Sequence, residues 1–94
     1  MFDFKNVFSL SGKTALVVGA GGLGLPIAQA LMQNGADIIL ADMKAPGEEF
    51  AALCKEEGRK YFFVEVNLLD EESIVKMVAA AKEKTGRIDI LVNA

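Results

Sequence analysis

Three glycines divide this chain into units of one repeating kind. Gly35, Gly58 and Gly86 each close a helix-like stretch and stand two or three residues before an apolar run. Glycine there supplies the left-handed conformation in which helices commonly end, so each marks a helix handing over to a strand. The runs that follow are 37–41 (DIILA), 61–66 (YFFVEV) and 88–92 (IDILV), and 14–18 (TALVV) supplies an earlier one. Helix-length stretches at 23–34, 48–57 and 71–85 lie between them. Strands alternating with helices, each apolar enough to be covered on both faces, require crossover connections and hence parallel pairing. Right-handed crossovers favour the spatial order 3-2-1-4, which is an α/β, doubly wound parallel sheet of four strands and three helices.

Local signals agree with this division. In 71–85, Ile74, Met77, Val78 and Ala81 recur at three- and four-residue spacing and form one apolar stripe, while Lys76, Lys82, Glu83 and Lys84 stay largely off it. Asp70 stands at the N-cap position, and the acids Glu71 and Glu72 that follow it oppose the positive end of the helix dipole. Pro26 falls in the first turn of the first helix, where a missing N–H costs little.

Composition narrows the function classes. Ninety-four residues suit one small domain, 1–94, and 52% apolar with 24% charged residues describe a globular chain. A net charge of -3, with both signs mixed along the chain, offers no cationic face to nucleic acid or to anionic lipid. The single cysteine, Cys54, has no disulfide partner and reads as a buried helix residue; with no histidine, a nitrogen-and-sulfur zinc site is excluded. The N-terminal MFDFKNVFSLSGK lacks a continuous apolar core of signal-peptide length, and no apolar run approaches the roughly 18 residues that span a bilayer. A cytoplasmic protein is the simple inference.

The chemistry sits at the first strand-to-helix turn, VVGAGGLGLPIAQAL. Gly19, Gly21 and Gly24 satisfy GxGxxG after a strand and at the opening of a helix, the context that makes this short pattern informative. Gly19 permits the tight turn. Gly21 or Gly22 lets the backbone approach a pyrophosphate, and Gly24 lets the helix pack closely with its positive N-terminus aimed at the phosphates. Asp42 follows Gly24 by 18 positions at the end of the second strand. A carboxylate there accepts from the adenosine ribose hydroxyls and repels the 2′-phosphate of NADP, so NAD is the expected cofactor, with Lys44 the one nearby cation that favours NADP. A flavin or an acidic phosphoacceptor pocket suits these residues less well.

FSLSGKTALVVGAGGLGLPIAQALMQNGADIILADM resembles the opening of a short-chain dehydrogenase/reductase with a Rossmann-like nucleotide-binding fold. VNLLDEESI is similar to the family's segment after its third strand, and GRIDILVNA to the approach to its NAG motif. The resemblance implies that Gly19, Gly22 and Gly24 form the cofactor loop, with Leu23 backing the pyrophosphate. It further implies that Asp42 holds the adenosine ribose, that Asn67 and Leu68 lie beside the adenine, and that Asn93 begins the motif supporting the fourth strand and the cofactor's ribose. This chain departs from the family pattern in a glycine loop one residue shorter, Val18 in place of threonine, Asn67 in place of aspartate, and Ala94 in place of the motif's second asparagine.

The family's catalytic serine and its YxxxK tyrosine and lysine lie beyond the fourth strand, and Tyr61, the one tyrosine here, is not in such a motif. Tyr61 is expected to be a packing residue, and no residue of the chain is assigned a catalytic role. Two readings follow. In one, the chain is the NAD-binding part of an alcohol or ketone oxidoreductase, truncated after the fourth strand and inactive alone. In the other, it is a stand-alone nucleotide-binding or assembly module. Either way, the fourth strand is expected to present an apolar edge through which, or through the open sheet face beside it, the chain self-associates.

Overall fold

The computed structural model describes residues 7–94, so residues 1–6 of the N-terminal stretch read for a signal peptide lie outside it. The elements run β1 (Thr14–Val18), α1 (Gly24–Gln33), β2 (Asp37–Asp42), α2 (Glu48–Glu56), β3 (Tyr61–Glu65), α3 (Glu71–Thr85) and β4 (Ile90–Asn93). The strands form one parallel sheet in the order β3-β2-β1-β4. Both the alternation and the order match the reading from sequence. Gly35, Gly58 and Gly86 take φ of 110°, 71° and 78°, so each helix ends through a left-handed glycine that a side chain would strain.

Two apolar layers sandwich the sheet, and the two-residue period of a strand assigns each side chain to one of them. Ala15, Val17, Ile38 and Leu40 point to the face covered by Ala28 and Met32 of α1 and by Phe50 and Cys54 of α2. Leu16, Val18, Ile39, Ala41 and Val64 point to the opposite face, where Met77 and Ala81 of α3 cover them. The helices therefore lie on both sides, as right-handed crossovers from a central β1 require. Cys54 is buried as a small hydrophobe. Tyr61 meets the Phe50 ring edge-on at 5.2 Å between centroids, which makes it a packing residue at the start of β3. At the start of α3, the Asp70 carboxylate accepts from the Glu72 N–H at 3.0 Å, the cap its position predicts. Among the described residues no helix is long and apolar enough to cross a membrane.

The fourth strand differs from the expectation. It begins at Ile90, not at 88, and it is not covered on both faces. Ile90 and Val92 pack against the layer under α1, but Leu91 points the other way and is 67% exposed. The reason is lateral reach: α3 sits over β3 and its inner neighbours, and among the described residues Ile88 packs into that layer beyond β1 while Leu91 is left uncovered. Residue 89 is drawn out of the strand pattern into a clasp. Its N–H donates to the Thr14 carbonyl at 2.9 Å, and its carboxylate accepts from the Thr14 N–H at 2.9 Å and from the Arg87 guanidinium. This ties the start of β4 to the start of β1.

The Arg87 hydrogen bond, and then the Thr14 N–H, hold the Asp89 carboxyl below its ordinary value of 3.8. A depressed folded pKa contributes stability that is complete above the unfolded value and lost as pH falls through the folded one. Asp89→Ala is therefore expected to lower the urea midpoint at about pH 6, with the gap to the wild type closing in acid as the native carboxylate protonates. A gap that stays constant from neutral to acid pH would contradict this.

Candidate functional site

In a parallel sheet every strand ends on the same side, and here that side gathers the glycine turn, the end of β2 and the end of β3. Gly19 follows β1 at φ 96° and donates its N–H to the Ala41 carbonyl at 2.8 Å. A Cβ on Gly24 would stand 1.6 Å from the Gly19 carbonyl oxygen, so only glycine lets α1 begin where it does. A Cβ on Gly19 would lie 2.8 Å from the Ala94 carbonyl oxygen, which places the residue after β4 directly against the turn. Gly21 and Gly22 face open space, with Gly22 at φ 61°. Leu23 is the N-cap residue of α1, not its first helical residue, and its side chain is exposed.

Asp42 closes one side of this turn. Its Oδ2 accepts from the Ala20 N–H at 2.7 Å and its Oδ1 from the Met43 N–H at 2.7 Å. These two donors, Ala20 foremost, hold the carboxyl below the usual carboxylate range despite some opposing desolvation. Asp42 is thus an anion at neutral pH with lone pairs still free for hydroxyl donors. Beside it lies a depression of about 150 Å³ bounded by Gly19, Asp42, Met43, Asn67, Leu68 and Leu69. Asn67 is fixed by its neighbours: its N–H donates to Ser73 Oγ at 2.8 Å, and its Oδ1 accepts from the Leu69 N–H at 3.0 Å.

The structure therefore brings Gly19, Asp42, Asn67 and Leu68 around one depression, with Gly21, Gly22 and Leu23 on the adjoining open turn and Gly24 buried beneath it. Asn93 stands apart. It borders a separate apolar groove of about 360 Å³ that runs between α3 and β4, with Leu68 at its near end. Sequence reasoning missed Met43 and Leu69 as walls of the depression and the Ala20 N–H as a partner of Asp42. The two side chains follow Asp42 and Leu68 directly and could have been found from strand-end position, but the backbone donor carries no residue signature.

An open glycine turn at a helix N-terminus, an anionic acid at the next strand end and a small depression beyond it define a Rossmann-like fold of the dinucleotide-binding kind. The match to known proteins makes the class specific. The family description for short chain dehydrogenase matches residues 13–94, and the chain belongs to that family. It is 42% identical over 85 residues to oxidoreductase UcpA of Salmonella typhimurium, covering 89% of this chain and 32% of that protein. It is 40% identical over 89 residues to 3-hydroxyacyl-CoA dehydrogenase type-2 of Drosophila melanogaster, covering 95% of this chain and 32% of that protein. Among solved structures, hydroxysteroid dehydrogenase from Escherichia coli superimposes with a TM-score of 0.83 at 29% identity, over 94% of this chain and 38% of that one. The chain spans about a third of the length of the curated relatives it matches.

Gly24→Ala tests the turn. The new methyl must displace the Gly19 carbonyl or the start of α1, and overpacking of this kind costs about 1–3 kcal/mol. Chemical denaturation is expected to show that loss, whereas Gly21→Ala, which adds a methyl to open space, should stay within about 1 kcal/mol of the wild type. Equal losses at the two positions would refute the close packing.

Proposed function

We propose that residues 1–94 form one partial nucleotide-binding domain of a short-chain oxidoreductase and that the site binds NAD in preference to NADP. The observation that carries this reading is Asp42: an ionised carboxylate beside the open glycine turn accepts ribose hydroxyls and repels a 2′-phosphate. In this reading the N–H groups of the turn and of the first residues of α1 meet the pyrophosphate, Asn67 and Leu68 flank the adenine, and Asn93 supports the end of β4. The bound dinucleotide would supply the hydride chemistry of alcohol oxidation or ketone reduction. What these residues contribute is binding and orientation. The cytoplasm is the compartment that suits a chain whose one thiol is free and buried.

Hydride transfer to a carbonyl also needs a proton donor at the oxygen, and the described residues place none there. Tyr61 lies at the start of β3, paired with Ile38 at the opposite end of the sheet from Asp42, and burial pushes its hydroxyl pKa up. The chain is accordingly a cofactor-binding part that does not turn over substrate alone. Its exposed side favours a second reading as an assembly module: the β4 edge and the apolar groove beside Leu91 and Val78 suit self-association.

Titrating NAD and NADP separately against the melting temperature tests the first reading, because ligand at 100 times its dissociation constant adds about 2.7 kcal/mol to stability. A rise with NAD that exceeds the rise with NADP is expected, and no rise with either would sink the assignment. Sedimentation over a range of concentrations tests the second. Mass increasing with concentration is expected, and a monomer throughout would overturn it.

A further inference from the structure

We propose that Asp42 positions the glycine turn itself, in addition to any contact it makes with a ribose. Four of the six residues 19–24 are glycine, so this turn loses more conformational entropy on ordering than almost any other sequence would. It also has little side-chain packing to hold it: among the described residues, chain neighbours apart, no atom comes within 4 Å of where a Cβ would stand on Gly21 or Gly22. Polar contacts from outside the turn must supply the order, and the described residues show two hydrogen bonds of this kind, with the Gly21 N–H a weaker influence on the same Asp42 carboxylate. The backbone contact runs from the Gly19 N–H to the Ala41 carbonyl at 2.8 Å, and the side-chain contact from the Ala20 N–H to Asp42 Oδ2 at 2.7 Å.

The second contact reaches further into the turn, and its acceptor is charged, which makes it roughly twice as strong as a neutral hydrogen bond. Asp42 is itself anchored on three sides. Its Oδ1 takes the Met43 N–H, its carbonyl oxygen takes the Val66 N–H at 2.9 Å, and its backbone pairs with Glu65 in the sheet. The turn is thus hung from the rigid end of β2 by one carboxylate. Phosphate recognition by the turn and ribose recognition by the acid then become a single cooperative property. Removing the charge to admit a 2′-phosphate would loosen the surface that binds the other phosphates, so both cofactors would weaken together. This part of the inference rests on the dinucleotide reading above; the clamp does not.

Amide hydrogen exchange on the ligand-free chain separates the two. Asp42→Ala removes both acceptors, and the Ala20 and Met43 amides are expected to exchange at least about tenfold faster, as befits a lost hydrogen bond to a charged acceptor. Strand amides at Val17 and Ile39 serve as controls for global stability. Asp42→Asn keeps the shape but offers one acceptor for two donors, so one of the two amides loses protection and the other keeps it. Unchanged exchange at both amides in either folded variant overturns the clamp. Binding of adenosine and of ADP to wild type and Asp42→Asn then tests the coupling. A larger fold-loss for ADP than for adenosine is expected, and equal losses would confine Asp42 to the ribose. If neither compound binds the wild type, the dinucleotide reading fails while the exchange result still decides the clamp.

Discussion

Backbone packed directly on backbone at the β1–α1 turn is the contact from which the rest of the structure follows. With the Gly24 Cα set against the Gly19 carbonyl, α1 starts six residues after β1 ends and lies back across the sheet at once. Ala28 and Met32 then reach Val17 and Leu40, and the chain returns to enter β2 beside β1 in parallel. The same economy leaves the first N–H groups of α1 without intrahelical partners at the C-terminal end of the sheet. The fold and the proposed phosphate binding therefore share one requirement, the absence of a side chain at position 24.

The polarity of the sheet sorts the remaining features. β1 and β2 form its interior, and Ile38, Ile39, Leu40 and Val17 are fully buried, each contributing about 1.5–3 kcal/mol relative to exposure. This pair is the rigid platform. At one end stand Gly19, Asp42 and Asn67; at the other stand Thr14, Asp37, Tyr61 and Asp89. Asp89 and Asp42 make a comparison between the ends. Both acids accept from backbone N–H groups and both are held ionised, yet Asp89 also takes the Arg87 guanidinium and is spent on joining β1 to β4. The described residues show no cation on Asp42, so its charge remains available to the surface.

Much of this is legible in the sequence, because the deciding residues announce their conformations. Glycines at 35, 58 and 86 fix where helices stop, the stripe through Ile74, Met77 and Ala81 fixes which face of α3 is buried, and strand alternation with crossover handedness fixes the order of the sheet. The candidate site was legible where a side chain or its absence carries the role, as at Gly19, Gly24 and Asp42. It was not legible where backbone carries it. The Ala20 N–H that meets Asp42, and the Leu69 N–H that occupies Asn67 Oδ1, depend on turn geometry that any residue but proline could supply. β4 was misjudged for a different reason. IDILV has the composition of a doubly covered strand, and composition does not say whether a helix is wide enough to cover it.

That last mismatch follows from how crossovers distribute helices. α1 and α2 connect strands moving outward from β1 in one direction, and they share one face; α3 carries the chain back past β1 to the other side and lies on the opposite face. A helix packs about 8–10 Å from its neighbour and covers roughly two strands, so α3 alone cannot shield a four-stranded sheet. The uncovered strip falls on the last strand reached. Leu91 stands exposed on that strip, with Val78 of α3 at its border, and Ile90 and Val92 are half-buried on the reverse against the layer under α1, so one strand presents a better covered face and an open one. Burying the open face releases the same roughly 25 cal/mol per Å² of apolar surface that holds the interior together. The force that holds the β1–β2 platform together is therefore also the one on which the proposed association at its β4 side would draw.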